Sequence, residues 1–587
     1  MKKAYNQNNK LIDIIESVSS DTYTCPVCKE VLTRKFGSIK QYYAHPKNQG
    51  EDCEIKMKLL VKEEPGEFQD MDINILATEF YNKQFSDVSV EMSDYKSEED
   101  YYLTQEQKDI IISKESRIKI AALAGSAKSS TLYYYAKQRP FKKILYLVYN
   151  KAMKDEAEKS FGKLRHVDIK TIHGLAYGYV GKFYKDKLTN SYGVVDIIKD
   201  LNLNWNNDME LAVKINEMIK QYMLSGVQTF SDLELFKEDN TRELIISKCQ
   251  QLWQMKKSYK SNIKIEHDFY LKLFQLSQTD LSNRYDIILL DEAQDSSLMM
   301  FDIIKNSNVK GIVIVGDKYQ QLYSWRKAIN IMPHFDAKEY ELTTSFRVSQ
   351  NIAHISNLIV SDMSGNDIKM KGFNSKQKIV DKIDKSKPYV CLCRTNAYIF
   401  AEVVEALSNN KYKKLFFEGG YKSYSFENLK DTYWFSRGHK TKNPILSKFQ
   451  DYWIMKEYAE DTEDLELLAL VRMIDKYGSK IIDIVDGIKN NAVDKKENAD
   501  IIFSTIHRSK GMTYLMPVYI GNDHFDIEKT YRNKFIKQDK EFDSKNLYEE
   551  MCIIYVAITR CAGEIELSEG IKKYLLLRYK TKGHDLL

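Results

Sequence analysis

The sequence predicts an α/β protein built on parallel sheets, interrupted by two helical blocks and preceded by a small cysteine-bearing module. Three observations lead there. From Leu103 onward, short β-rich apolar runs alternate with amphipathic helical stretches, the pattern of strand–helix–strand units. Two stretches, about 177–280 and 405–496, read instead as mostly helical and polar. Three of the eight cysteines fall within residues 1–61.

The strands are expected at 118–122, 144–149, 287–290, 311–315, 390–393, 501–505 and 518–520, each a short apolar run bounded by polar or turn residues. Residues 62–102 are acidic and turn-rich and read as a linker. The length of 587 residues allows roughly three to five domains of ~100–200 residues. With 43% hydrophobic and 29% charged residues, the chain can bury sizeable cores. A net charge of +5 is compatible with a nucleic-acid partner without requiring one. Eight cysteines are too few for a disulfide framework in so long a chain, and Cys249, Cys391, Cys393, Cys552 and Cys561 sit in apolar contexts as buried thiols. A reducing, cytoplasmic compartment follows, as in a bacterial or phage-infected cell. No apolar run approaches the ~18–20 residues of a membrane span, and the start has no apolar signal core.

Two stretches carry the chemistry of a nucleotide site. In AALAGSAKSST a strand runs into a loop and then a helix start. Ala122 and Ala127 stand where a phosphate loop usually has glycine, while Gly125, Lys128 and Ser129 remain. The amides of Ala124, Gly125, Ser126, Ala127, Ser129 and Ser130 would face phosphate, with Lys128 adding a cation and Ser129 a hydroxyl for Mg²⁺. If position 127 needs a positive φ, alanine costs about 1–2 kcal/mol there. In YDIILLDEAQD an apolar strand ends in adjacent carboxylates: Asp291 to hold Mg²⁺, Glu292 to take a proton from water.

Four further stretches, IVGDKYQQLYSWR, LTTSFRVSQNI, STIHRSKGMTY and EEMCIIYVAITRC, are weak singly. Their order and spacing, with LVYNKAMKDEA, TIHGLA, CRTNA and FFEGGYKSYSFENLKDTYW, resemble the UvrD/Rep/PcrA class of superfamily 1 DNA helicases over about 103–587, most closely the F-box DNA helicase branch. The resemblance implies two RecA-like motor domains, 103–340 and 341–587, with the helical blocks as insertions. It implies ATP with Mg²⁺ in the cleft, Gln107 on the adenine edge, Phe346 stacking on adenine, and Gly511 near the nucleotide. Gln320 would sense the γ-phosphate, and Arg347 and Arg560 would neutralise its charge. Single-stranded DNA would meet Asn150, Thr171, His173, Tyr323, Trp325, Arg394, Asn396, Thr505 and His507, with Trp325 stacking on a base. Three departures from the family pattern stand out: Ala127 for glycine, Thr513 for a ribose-contacting glutamate, and Met551-Cys552 for basic residues.

The N-terminal segment places Cys25-x₂-Cys28, His45 and Cys53 in a ligand set for one structural Zn²⁺, similar to a zinc ribbon, in a module that could also meet a protein partner. The expected function is a 3′→5′ helicase or translocase acting on single-stranded DNA and single-strand/duplex junctions, in replication, repair or recombination. The alternatives are an ATP-responsive clamp and a protein-stripping translocase that unwinds little.

Overall fold

A computed structural model describes residues 103–582, apart from 190–191, 205–206, 323–329, 367, 410–411, 444, 462–464, 522–526, 528–530 and 533–543, together with the backbone of short strands before them. The chain divides into Met1–Ile75 and Leu76–Leu587. In the first unit the strands Lys3–Tyr5, Leu11–Asp13, Tyr23–Thr24, Val31–Phe36 and Gln41–Ala44 form one antiparallel sheet. The expected zinc ligands Cys25, Cys28, His45 and Cys53 lie outside the described residues.

The second unit holds two six-stranded sheets whose pairings are all parallel. The first contains β1 (Arg117–Ala122), β2 (Ile144–Val148), β3 (Val167–Thr171), β4 (Ile287–Leu290), β5 (Gly311–Gly316) and β6 (Lys338–Leu342), in the order β3-β2-β4-β5-β1-β6. The central strands β2 and β4 are buried along their whole length, which is why they read as unbroken apolar runs. Their residues alternate between two cores. Tyr146, Val148, Ile287 and Leu289 pack with Leu132, Tyr135 and Phe161 on one face. Leu145, Leu147, Ile288 and Leu290 pack with Leu271, Phe274 and Met299 on the other.

The second sheet contains β7 (Lys378–Val380), β8 (Tyr389–Cys393), β9 (Leu415–Phe417), β10 (Ile501–Thr505), β11 (Val518–Ile520) and β12 (Glu564–Glu566), in the order β7-β12-β11-β8-β10-β9. Because every strand of a parallel sheet ends on the same side, the loops after the strands gather along one rim of each sheet.

The two helical segments differ in how they are held. Between β3 and β4, helices Val194–Asp200, Met209–Leu224 and Arg242–Lys257 share a core of their own, with Ile215, Met218, Leu252 and Trp253 at its centre. Lys272 is fully buried there, donating to the carbonyls of Ser225 and Val227, and burial lowers its pKa to about 8. Between β9 and β10, helices Glu427–Ser436, Tyr452–Asp461, Leu465–Tyr477 and Lys480–Asn491 pack into the same core as Cys391, Ile501 and Phe503 of the sheet.

The block 405–496 is not helical throughout, since β9 lies inside it and pairs with β10. Five strands of these two sheets went unread in the sequence: β3, β6, β7, β9 and β12. Four of them, β3, β6, β7 and β9, are sheet edges, where polar residues such as those of Lys338–Leu342 face solvent and break the apolar run.

Cys249, Cys391, Cys393, Cys552 and Cys561 are all buried and unbridged. Burial pushes the Cys561 thiol up to about 12, and the others higher still where a shift is resolved. Thiol labelling of the folded chain, read by peptide mapping, should therefore leave these five unmodified until denaturant is added. Rapid labelling of any of them under native conditions would contradict this packing.

Candidate nucleotide site

The phosphate loop spans the gap between β1 and helix α1 (Lys128–Lys137), on the strand-end rim of the first sheet. Its backbone turns on two left-handed residues, Gly125 at φ 74° and Ala127 at φ 57°. Gly125 must be glycine for a second reason: a Cβ there would lie 2.5 Å from Ser345 Oγ and 2.6 Å from the Cβ of Arg347. The loop is also tied by Leu123 N–H to Leu342 O at 3.0 Å and by Phe346 N–H to Gly125 O at 2.9 Å. Ala127 offers no side-chain cap, so the first-turn amides of α1 are left for another acceptor. Ser126 Oγ is buried with no hydrogen-bond partner. Open helix amides and an orphan hydroxyl fit a phosphate group.

β4 delivers the carboxylates. Asp291 Oδ2 accepts from Tyr146 OH at 2.9 Å and Ser129 Oγ at 3.2 Å, and its Oδ1 accepts from Glu292 N–H at 2.9 Å. Glu292 is itself left-handed, φ 55°, a strained setting for a non-glycine residue. Its Oε1 lies 3.0 Å from Lys128 Nζ, and its Oε2 accepts from Gln294 Nε2 at 2.5 Å and sits 3.8 Å from Lys510 Nζ. Burial pushes the Glu292 carboxyl up, but Lys128 and Lys510 outweigh it and bring it down to about 2. Burial and the charge of Glu292 hold Asp291 above the usual carboxylate range. Burial pushes the Lys128 ammonium down, and Glu292, Asp291 and Asp317 more than restore it. Asp295, paired with Lys510, is raised to about 6, mainly by burial.

Opposite this cluster stand groups from the other half of the unit. Arg347 follows the short strand Thr344–Ser345 and donates to Thr559 O at 3.2 Å. Arg560 is 1% exposed and donates to Met512 O, Val556 O and Gln320 Oε1 at 3.1–3.2 Å. Among the described residues neither arginine pairs with a carboxylate. Burial, then the charge of Arg560, lowers Arg347 to about 9. Two desolvated guanidiniums facing a lysine-bearing loop make a strong site for a multiply charged anion.

The remaining candidates are placed as follows. Gln107 is buried, with Oε1 accepting from Thr104 N–H at 3.0 Å and Nε2 donating to Thr131 Oγ1 at 3.1 Å, so its amide serves a helix capping box here. Phe346 is half-buried and meets the exposed Phe373 edge to face at 5.6 Å. Ser129, Ser130 and Thr513 are exposed. Gly511 turns the chain at φ 83° with open space where a side chain would go.

Asn150, Thr171 and Thr505 are each helix N-caps at strand ends, accepting from the amides of Met153, Gly174 and Arg508. The Thr-Ile-His triplets at 171–173 and 505–507 have the same local form in the two halves: a capping threonine, a buried isoleucine and a half-buried histidine. His173 bonds Asp268 at 3.0 Å. Arg394 grips Glu550 through Nε at 2.8 Å, and His507 is held below its usual pKa by burial and Arg394. Asn396 opens helix Asn396–Asn409. Tyr323 and Trp325 lie outside the described residues.

Sequence reasoning passed over Tyr146, Asp295, Asp317, Lys510 and Tyr555. The last four stand inside stretches already singled out, but their partners lie far away in the chain. Tyr146 had one faint signal, a polar-tipped ring inside an otherwise aliphatic strand.

Residues 103–338 match the UvrD/REP helicase N-terminal domain. F-box DNA helicase 1 of Gallus gallus is 28% identical over 514 residues, covering 81% of this chain and 50% of that protein. F-box DNA helicase protein 1 of Schizosaccharomyces pombe is 28% identical over 539 residues, 84% of this chain and 60% of that protein. A probable DNA helicase II homolog of Mycoplasma genitalium is 24% identical over 287 residues, 42% of this chain and 38% of that protein. The chain thus spans between half and two thirds of the length of the two F-box relatives.

The left-handed Ala127 yields a stability test. Ala127→Gly removes a strain of about 1–2 kcal/mol while adding some unfolded-chain entropy, for a net gain of roughly 0.5–1 kcal/mol. Denaturant unfolding should show the gain, and a loss would mean that Ala127 is not held left-handed.

Proposed function

From the match of residues 103–338 to the UvrD/REP helicase N-terminal domain we propose that the chain is an ATP-dependent DNA helicase that moves 3′→5′ along single-stranded DNA and opens duplex at junctions. The observation that carries this reading is a pair of arginines, the buried Arg560 and the half-buried Arg347, without a carboxylate partner among the described residues and close to Lys128 and Glu292. Such an arrangement leaves guanidinium charge available to an incoming anion, beyond what nearby Glu292 and Asp317 offset.

Bound ATP with Mg²⁺ supplies the γ-phosphoryl group whose transfer to water drives the motor. The amides of Gly125, Ala127, Ser129 and Ser130 with Lys128 would hold the phosphates, those of Ala124 and Ser126 being taken by Tyr555 OH and Leu123 O, and Ser129 with Asp291 would hold the metal. Lys128 must turn from Glu292 to do so. That turn removes the larger of the two charges that keep Glu292 a weak base, Lys510 remaining, so its basicity rises when the site is filled. Glu292 then takes the proton of the attacking water, Gln320 orients on the terminal phosphate, and Arg347 and Arg560 neutralise charge gathering there. Because these groups come from both halves, binding draws the halves together and release lets them part. Single-stranded DNA would run along the strand-end rim, past Asn150, Thr171, His173, Arg394, Asn396, Thr505 and His507, with Tyr323 and Trp325 on its bases. Work in replication, repair or recombination follows from this activity. No described helix is long and apolar enough to cross a membrane. Cys25, Cys28, His45 and Cys53 would hold one structural Zn²⁺ in a module that can also meet a protein.

The strained Ala127 favours a second reading, an ATP-responsive clamp that grips single-stranded DNA but turns over slowly. ATP turnover with and without single-stranded DNA separates the two. The helicase reading predicts strong stimulation by DNA, abolished in Lys128→Ala and reduced about 10²–10⁴-fold in Glu292→Gln. Parental turnover in Lys128→Ala would remove the loop from the mechanism.

A further inference from the structure

One buried hydroxyl connects the phosphate loop to the arginine side of the cleft. Tyr555 lies in the helix Ser544–Ile558, five residues before Arg560, and is fully buried. Its hydroxyl accepts from the backbone N–H of Ala124 in the phosphate loop at 3.0 Å. The same hydroxyl donates to Asp317 Oδ2 at 3.1 Å. That carboxylate oxygen also accepts from Gln320 Nε2 at 2.7 Å, which fixes the rotation of the Gln320 amide. The amide's other end, Oε1, accepts from Arg560 Nη2 at 3.1 Å. The links run without a gap from Ala124 through Tyr555, Asp317 and Gln320 to Arg560.

We propose that Tyr555 is a positioning residue of the nucleotide site: its hydroxyl carries the position of the phosphate loop to Gln320 and, through it, to Arg560. This rests on the ATPase reading above. The geometry favours a relay over simple packing for three reasons. The ring's contacts could be met by phenylalanine, so the hydroxyl is not needed to fill space; the ring meets Tyr319 edge to face at 5.9 Å. The hydroxyl touches the loop at a backbone amide, so any displacement of the loop backbone acts on it directly. And the direction of each bond is fixed. Burial and the charge of Asp317 hold the phenol well above its usual pKa, so it keeps its proton and always donates toward Asp317. Asp317 Oδ2 accepts from both the phenol and the Gln320 amide, so the two donors meet on one oxygen. A shift of Ala124 therefore moves Tyr555, and Tyr555 moves the carboxylate on which Gln320 is hung.

The test uses the full chain and four proteins: the parent, Tyr555→Phe, Gln320→Ala and the double variant. Tyr555→Phe should lower kcat for DNA-stimulated ATP hydrolysis roughly tenfold while changing KM for ATP less than about twofold, because the hydroxyl acts on positioning and not on binding. The double variant should be no slower than Gln320→Ala alone, since both changes cut one relay. Asp317→Asn, which keeps the size of the side chain, should repeat the kcat loss and serves if Tyr555→Phe folds poorly. Parental kcat in Tyr555→Phe, a rise in KM without a fall in kcat, or losses that multiply in the double variant would each overturn the assignment. An inactive parent would instead overturn the ATPase reading, whereas an active parent matched by Tyr555→Phe overturns only the role of Tyr555.

Discussion

The ion pair between Lys128 and Glu292, 3.0 Å apart and enclosed by both halves of the large unit, is the contact around which the site is arranged. Each partner would be costly to bury alone. Lys128 sits at the start of α1 because β1 ends at Ala122 and the loop needs five residues to turn. Glu292 reaches it because β4 ends at Leu290 and the next two residues carry carboxylates into the same rim. Parallel sheets put those two strand ends on one side, so the fold itself brings the opposite charges together.

The same pair explains why the site can be quiet when empty. While Lys128 holds Glu292, the carboxylate is too weak a base to be useful, and Asp291 is occupied by Tyr146 and Ser129. The positive groups across the cleft have no such internal partner. The imbalance is therefore uneven: the first half pairs Lys128 with Glu292, Lys510 of the second half joins Asp295, and the second half also brings two arginines whose hydrogen bonds go to neutral oxygens. An anion with several charges resolves both conditions at once, by taking Lys128 away from Glu292 and by giving Arg347 and Arg560 something to bind.

Much of this was legible in the chain. The central strands announce themselves because burial on both faces makes them continuous apolar runs, as in Ile287–Leu290 and Ile501–Thr505. Lys128, Asp291 and Glu292 could be found because each stands just past the end of such a run, whereas Arg347 and Arg560 were reached through the family resemblance. The edge strands were not legible, since Lys338–Leu342 carries three charged residues and Leu415–Phe417 has only three positions in which to show a pattern. Nor were contacts that close over long stretches of chain. Ala124 and Tyr555 are 431 residues apart, and Lys510 and Asp295 are 215 apart, so no local spacing could pair them. Asn150, Thr171 and Thr505 were noticed for resemblance alone, and the structure adds a local reason for each, as the cap of a helix at a strand end. Ala127 shows the opposite case: the strain that its position raised as a question is present in the backbone.

The central claim is that one nucleotide site is shared by the two halves and closes as a unit. Amide hydrogen exchange, compared with and without Mg²⁺ and a non-hydrolysable ATP analogue, tests it most directly. The account predicts that protection rises together in peptides covering 123–131, 290–296, 345–349 and 553–561. Protection confined to the first two, with the arginine-bearing peptides unchanged at saturating analogue, would contradict it.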